Sequence, residues 1–245
     1  MTSPIALCLG GAKSVWDDLA AAEALIGDAP RRIVACNFAG IAYPGHLDTW
    51  VTLHPELFDG WRADRAQAGR NTDYRQFCHQ PAGDGVAVVG YQGRGSSGLY
   101  MAQVGLQETG CAAAILCGVP MDDTGGHIHW PGAWSQAELY RPAFEAAKAA
   151  GWNIRSMGGW TAELFGRPDA EWLAEMGITI QNAEAMVARI RFHADFDWHP
   201  TPVSTIAYKA GMEETVPRAC RIAALNASVA IDVPPPRRQE GQDGD

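Results

Sequence analysis

The chain has 245 residues, 47% of them hydrophobic and 19% charged, which suits one large domain or a medium domain with a small partner and excludes a largely disordered protein. Its formal net charge of −9 argues against nucleic acid or an anionic membrane surface as a partner. The N-terminus lacks the basic lead and apolar length of a signal peptide, and no run reaches the roughly 20 apolar residues of a spanning helix, so we expect a cytoplasmic protein.

Apolar runs alternate with helical patterns through the first two-thirds of the chain. Pro4–Leu9 is followed by Gly10-Gly11 and then by apolar residues at helical spacing, which predicts a strand, a tight turn and a helix. The other predicted strands are Arg32–Asn37, Thr49–Leu53, Gly85–Val89, Ala113–Leu116 and Asn153–Ser156. The other predicted helices begin near Pro55 and at Ser97, Ser135 and Thr161. The helix near Pro55 is followed by a long excursion of the chain, without a predicted helix or strand, that ends at Pro81. We therefore predict an α/β fold over residues 1–177, a Rossmann-like parallel sheet with helices on both faces.

The composition changes after residue 177. Residues 178–188 are predicted as a linker, 189–233 as a small α+β module of order ββαβ, and 234–245 as a disordered tail that starts with three prolines. The elements predicted within the module are strands at Ile190–Trp198, Ser204–Tyr208 and Val229–Val233, a turn at residues 199–202 and a helix at Pro217–Ala227.

Two glycine-rich turns follow predicted strands and precede helices. The first contains Gly10, Gly11, Lys13 and Ser14 and matches neither of the common dinucleotide and P-loop patterns. In a parallel sheet, such turns let a backbone approach an anionic ligand and present the N–H groups of a helix N-terminus. The alternative for the double glycine is a tight turn with a purely structural role.

The second turn is richer in donors. It contains Gly93, Arg94, Gly95, Ser96, Ser97 and Gly98, and these glycines, hydroxyls and one cation together predict an anion-binding nest. The alternative is a flexible loop with a serine N-cap. Asn37 ends the second predicted strand, so it either points into the same crevice and binds a base, ribose or sugar, or is an ordinary turn residue.

Three histidines follow predicted strands and are candidates for catalysis. His54 follows the third strand, and His127 and His129 alternate after the strand at Ala113–Leu116. Each is a candidate general base, and the alternative is an ordinary loop or helix-start residue. Metal binding through the His127 and His129 pair is a weaker hypothesis, and the chain has no CxxC pair for a zinc site.

Four arginines lie in the polar stretch after the third predicted strand. Arg62, Arg65, Arg70 and Arg75 either hold a phosphate or carboxylate or form a solvated face.

The order of these motifs resembles that of a known family. The Gly-Gly-x-Lys-Ser turn, the Ala-Cys-Asn that ends the second strand, the SSGLYMAQVGLQETG segment with its later ILCGVPMD, and a following histidine are similar to the Rossmann-like bacterial sialyltransferases and related archaeal 6-hydroxymethylpterin diphosphokinase-like proteins. The resemblance implies a nucleotide or a CMP-type nucleotide sugar as ligand, without a required metal. The residues that it places at the nucleotide are Gly10, Gly11, Asn37, Ser96, Ser97 and Gly98. It matches His127 or His129 to the general base.

The C-terminal segment from ADFDWHPTPVST to RIAALNAS resembles small proteins of tailed phages that are encoded near virion genes. This resemblance implies a phage or prophage protein that resides in the host cytoplasm or in the virion. The leading hypothesis is a nucleotide-binding, transferase-like protein. Its alternative is a non-catalytic virion or assembly protein that contacts phage structural proteins, and a metal-dependent hydrolase using His127 and His129 comes third.

Overall fold

A computed structural model describes residues 3–91, 93, 95–122, 126–130, 132, 136–178, 187–201 and 204–233. The chain divides into two compact units, Met1–Ile180 and Gln181–Asp245. Most of the predicted linker 178–188 and all of the predicted tail 234–245 lie outside the described residues, so those domain boundaries stay a prediction.

A parallel sheet of seven strands forms the centre of the first unit. Its strands are β1 (Ile5–Leu9), β2 (Arg31–Cys36), β3 (Thr49–Thr52), β4 (Arg75–Cys78), β5 (Val86–Val88), β6 (Ala113–Cys117) and β7 (Ile154–Ser156). They are arranged in the order β5-β4-β3-β2-β1-β6-β7, and every neighbouring pair is parallel. The predicted α/β fold with a parallel sheet is thus confirmed.

Helices cover both faces of this sheet. They are α1 (Val15–Ile26), α2 (Asn37–Ala42), α3 (Pro55–Gln67), α4 (Ser97–Glu108), α5 (Ala137–Ala149), α6 (Gly159–Phe165) and α7 (Ala170–Glu175). Side chains of β1 alternate between two cores, because Leu7 packs with residues of α1, α2, α3 and α7, whereas Cys8 packs with residues of α4, α5 and α6. Among the described residues, no helix is long and apolar enough to cross a membrane.

The strand order brings several turns of the chain to one edge of the sheet. From β1 the chain moves outward through β2 to β5, and α4 then returns it to β6 on the other side of β1. All strands are parallel, so their carboxyl ends lie along one edge of the sheet, which we call the carboxyl edge. The turns after β1, β2, β3, β5 and β6 therefore meet there. The direction in which the chain adds strands to the sheet changes between β1 and β6, and that point lies at the same edge.

The stretch predicted as an excursion contains one more strand. Residues Arg75–Cys78 form β4 beside β3, although only Phe77 and Cys78 of the four are buried. The pattern of two polar and two apolar residues is too short to show a strand period, so pairing with β3 and β5 decides the structure.

The second unit contains more strands than the predicted ββαβ order. Its elements are β8 (Val187–Phe192), β9 (Phe196–Thr201), β10 (Ser204–Tyr208), β11 (Glu213–Pro217), α8 (Arg218–Asn226) and β12 (Ala230–Asp232). They form two small antiparallel sheets, β10-β9 and β11-β8-β12. The predicted α+β class of this module is confirmed.

Two predicted elements of this unit differ from the structure. The single strand predicted at Ile190–Trp198 is divided between β8 and β9, because Asp195 lies in a turn where it accepts hydrogen bonds from the Lys209 side chain and the Ala210 N–H. The apolar alternation continues across this break and so gave no sign of it. The predicted turn at residues 199–202 is replaced at its start by β9, which continues to Thr201.

Hydrogen bonds from a buried arginine connect α3 to the segment between β2 and β3. The Arg65 side chain has no solvent-exposed surface, and its guanidinium donates to the carbonyl oxygens of Gly40, Tyr43 and Gly45 at 2.7, 2.9 and 3.3 Å. It also donates to the carbonyl and side-chain oxygens of Asn71. Neither a ligand-binding nor a solvated role applies to Arg65, because the protein backbone uses its donors.

Replacing Arg65 tests this role. We expect Arg65→Met to lower the free energy of unfolding by about 3–5 kcal/mol, because several buried carbonyl groups lose their donor, and Arg65→Lys to lower it by less. Urea unfolding followed by circular dichroism measures the change, with the exposed Arg167→Met as the control. Equal stability of the Arg65→Met and Arg167→Met variants would contradict the proposed role.

Candidate functional site

The turn after β1 is covered by the chain segment that follows β6. The Gly10 N–H donates to the Cys117 carbonyl at 2.8 Å, and the Ile128 N–H donates to the Gly11 carbonyl at 2.8 Å. A Cβ atom at Gly10 would collide with the Gly118 carbonyl oxygen, and one at Gly11 would collide with the His127 ring. Close packing within the protein therefore accounts for both glycines, and their contact with a nucleotide stays a prediction.

The hydroxyl group in this first turn has a partner that the sequence analysis missed. Ser14 donates to Asp18 Oδ2 at 3.0 Å, and the same oxygen accepts the Gly118 N–H at 2.8 Å. Burial raises the pKa of Asp18. The spacing of Ser14 and Asp18 by four residues at the start of a helix was the available signal. Lys13 is exposed, and its alkyl chain lies against Gly126.

Asp18 also affects where an anion can bind. Its carboxylate lies at the change of direction between β1 and β6, where ligands of parallel sheets commonly bind. A carboxylate disfavours a phosphate at that point, and the segment after β6 already fills it. The second glycine-rich turn is therefore the better candidate for an anion.

Asn37 connects the ends of two strands to that second turn. Its side-chain amide donates to Ser97 Oγ at 3.2 Å, and its side-chain oxygen accepts the Thr52 hydroxyl at 2.9 Å. Its carbonyl accepts the Trp50 indole N–H at 3.0 Å. The structure thus brings together Asn37 and Ser97, two of the predicted site residues, although they are sixty residues apart.

The second turn forms the N-terminus of α4. The Ser96 hydroxyl oxygen accepts the Leu99 N–H at 3.3 Å, as an N-cap does, and the Ser96 carbonyl accepts the Tyr91 hydroxyl at 2.9 Å. Within the described part of the chain, the N–H groups of Ser97 and Gly98 have no hydrogen-bond acceptor. The positive end of a twelve-residue helix thus presents donors at the carboxyl edge.

Two glycines of this turn make close contacts within the protein. Gly95 has a φ of 68°, a conformation that other residues rarely adopt, and a Cβ there would collide with the Tyr140 ring. A Cβ at Gly98 would lie 2.7 Å from a methyl group of Val119. Arg94, which the predicted nest includes, lies outside the described residues.

Of the three non-glycine residues with positive φ in the described part of the chain, two lie at the carboxyl edge and the third, Ser228, lies in the second unit. Asn37 and Met121 have φ values of 46° and 51°, and they lie directly after β2 and shortly after β6. Non-glycine residues with positive φ are uncommon and cluster at functional sites, although asparagine tolerates this conformation better than methionine does.

Aromatic and imidazole rings gather beside Asn37 in what we call the ring cluster. Its members are Phe38, His54, Trp61, His127, His129 and Trp130. Phe38 stacks on His129 with ring centroids 3.8 Å apart and contacts Trp61 at 5.3 Å. His54 contacts Trp61 at 6.2 Å. The three histidines predicted as catalytic candidates therefore belong to one cluster.

The hydrogen bond of His127 determines which of its nitrogens carries the proton. The His129 backbone N–H donates to His127 Nδ1 at 3.0 Å, so the neutral ring carries its proton on Nε2. Burial, with a smaller contribution from His129, lowers the pKa of His127. In this arrangement His127 is a donor at Nε2 rather than a base.

His54 and His129 are exposed. His54 Nδ1 lies 3.5 Å from a carboxylate oxygen of Glu56. Within the described part of the chain, no three histidine, cysteine, aspartate or glutamate side chains come together as metal ligands.

Two substitutions at Asn37 distinguish the effect of its backbone conformation on stability from the effect of its side-chain amide. Asn37→Gly and Asn37→Ala both remove the amide, but only alanine is strained at a φ of 46°. We expect the alanine variant to be less stable than the glycine variant by about 1 kcal/mol in urea unfolding. The reverse order would show that Asn37 does not adopt this conformation.

The lowered pKa of His127 predicts a pH dependence. The folded protein resists protonation of His127, so stability is lost as the pH falls from about 6.5 toward the lower folded pKa. In His127→Asn, the side-chain oxygen of asparagine can replace Nδ1 as acceptor. Between about pH 7.5 and 5.5, we expect the free energy of unfolding of this variant to fall less than that of the natural protein, with a difference between the two of less than about 1 kcal/mol. Parallel pH dependences in urea unfolding would contradict this role.

Known proteins provide no further guide to this site. Comparisons of the chain with models of protein families, with curated proteins and with solved structures find no match. The resemblance to sialyltransferase-like proteins therefore rests on sequence motifs alone. The structure establishes a seven-stranded parallel α/β unit and small antiparallel C-terminal sheets.

Proposed function

We propose that the protein binds a nucleotide or a CMP-type nucleotide sugar at the carboxyl edge and acts as a transferase. The observation that carries this proposal is the contact of Asn37 with Ser97, which joins the end of β2 to the N-terminus of α4. The phosphate lies at the N–H groups of Ser97 and Gly98, where the helix dipole favours negative charge. We expect Asn37, whose side-chain amide contacts Ser97, to form a hydrogen bond with the ribose.

The proposed chemistry is transfer of a sugar from its phosphate to an acceptor hydroxyl. The acceptor oxygen forms a bond to the anomeric carbon as the bond from that carbon to the phosphate oxygen breaks, and the nucleotide leaves with the electron pair. The N–H groups of α4 stabilise the charge on the departing phosphate. An exposed histidine, His54 or His129, accepts the proton of the acceptor hydroxyl, because the Nδ1 of His127 is already occupied.

One observation favours the alternative, a non-catalytic phage virion or assembly protein. The crevice between β1 and β6 is closed by backbone hydrogen bonds from Gly10, Ala12 and Ile128. A protein that has lost catalysis would tolerate such closure. Presence of the protein in washed phage particles, together with no response to nucleotides, would favour this alternative.

A charge placed at the α4 N-terminus tests the binding site. We expect a nucleotide or nucleotide sugar at about 100 times its Kd to raise the melting temperature of the natural protein by about 5–10 °C. Ser97→Asp should abolish this shift, because its carboxylate occupies the proposed phosphate position.

Gln107→Glu provides the matched control. It adds the same charge to an exposed position at the opposite end of α4 and should retain the shift. The ligands are CMP, CMP-sialic acid, UDP-sugars and ATP, without added metal. No shift of the natural protein with any of them would refute the proposed function.

A further inference from the structure

We propose that the nucleobase of the ligand stacks on the exposed face of Trp130, with His129 and Phe38 holding the indole in place. This inference deepens the proposed function and depends on it. It assigns to the ring cluster a role in binding the base, whereas the sequence predicted proton transfer by its histidines or, as a weaker hypothesis, metal binding by His127 and His129.

The exposure of Trp130 is the first argument. Its side chain is 53% exposed, and it is the single aromatic residue among the large hydrophobic side chains that are exposed in the described part of the chain. Tryptophan provides a large flat surface, and nucleobases stack on such surfaces in proteins that bind them. One exposed indole offers the area of one base, whereas a protein partner requires an extended surface.

The fixed position of Trp130 is the second argument. Its ring lies 4.6 Å from His129 in an edge-to-face arrangement, 5.4 Å from Phe38 and 5.7 Å from His127. Phe38 and His129 are themselves stacked at an angle of 12°. Contacts on these sides leave the indole ordered before a ligand arrives, so stacking costs little side-chain entropy.

The third argument is the connection between the ring cluster and the phosphate position. Asn37 contacts Ser97 of α4, and the next residue, Phe38, contacts Trp130. Two consecutive residues therefore join a helix N-terminus, which favours an anion, to an aromatic surface, which favours a flat ring. A nucleotide carries both groups on one ribose, with the base on C1′ and the phosphate on C5′.

Comparison of a nucleotide with ribose 5-phosphate, which lacks the base, distinguishes the contribution of the base to binding from that of the phosphate. Isothermal titration calorimetry measures the Kd of the four nucleoside 5′-monophosphates and of ribose 5-phosphate for the natural protein and for Trp130→Ala, Trp130→Phe and Ser97→Asp. Leu139→Ala, which removes an exposed apolar side chain elsewhere, is the control.

The proposal makes a distinct prediction for each variant. For the tightest nucleotide, Trp130→Ala should raise the Kd about tenfold, to near that of ribose 5-phosphate, and Trp130→Phe should raise it less. Binding of ribose 5-phosphate should be unchanged by Trp130→Ala. Ser97→Asp should weaken the nucleotide regardless of its base, and Leu139→Ala should change nothing.

Several results would overturn the inference. Stacking of the base on Trp130 would be contradicted if ribose 5-phosphate bound as tightly as the nucleotide, or if the nucleotide Kd were unchanged in Trp130→Ala. Neither result would contradict the proposed function. Failure of the natural protein to bind any nucleotide would refute the proposed function and the stacking surface together. Because Trp130 is exposed, its replacement should leave the far-ultraviolet circular dichroism spectrum unchanged, which checks that the variant is folded.

Discussion

The side chain of Asn37 joins three elements that the sheet alone would leave separate. Its amide bonds to α4 and its side-chain oxygen to the end of β3, while its own backbone starts α2 from a left-handed conformation. The proposed phosphate position and the ring cluster both lie beside this residue, because its side chain contacts Ser97 and the next residue, Phe38, belongs to the ring cluster. A glycine could adopt the same backbone but would provide neither hydrogen bond.

Much of the first unit could be predicted because its signals are local. Continuous apolar runs such as Ile5–Leu9 and Ala113–Cys117 are typical of buried parallel strands, and both form central strands. Parallel strands place their following turns at one edge, which is why Asn37 and Ser97 could be expected in the same crevice. β4 and the split of β8 from β9 could not be predicted, because neighbouring strands or a side-chain contact decide them.

Within the site, the missed features are those that depend on distant partners. No pattern in the sequence shows that Asp18 accepts an N–H from Gly118, a hundred residues away, or that Phe38 stacks on His129. The same holds for Arg65, for which the sequence left open either a contact with a phosphate or carboxylate or a place on a solvated face. A charged residue is buried only where enough oxygens converge on it, and that convergence is a property of the folded chain. The types of residue in the sequence indicate where candidate groups lie along the sheet edge. They do not indicate which other group each side chain contacts in the folded protein.

The buried guanidinium of Arg65 has a consequence for the dynamics of the site. Three of its acceptors lie at Gly40, Tyr43 and Gly45, in the segment that starts from the candidate site residues Asn37 and Phe38, while Arg65 itself belongs to α3. Separating the segment from the helix would expose the charge and break several hydrogen bonds at once. The two should therefore open together, as one unit of local unfolding, and their amide hydrogens should exchange with solvent at a common rate.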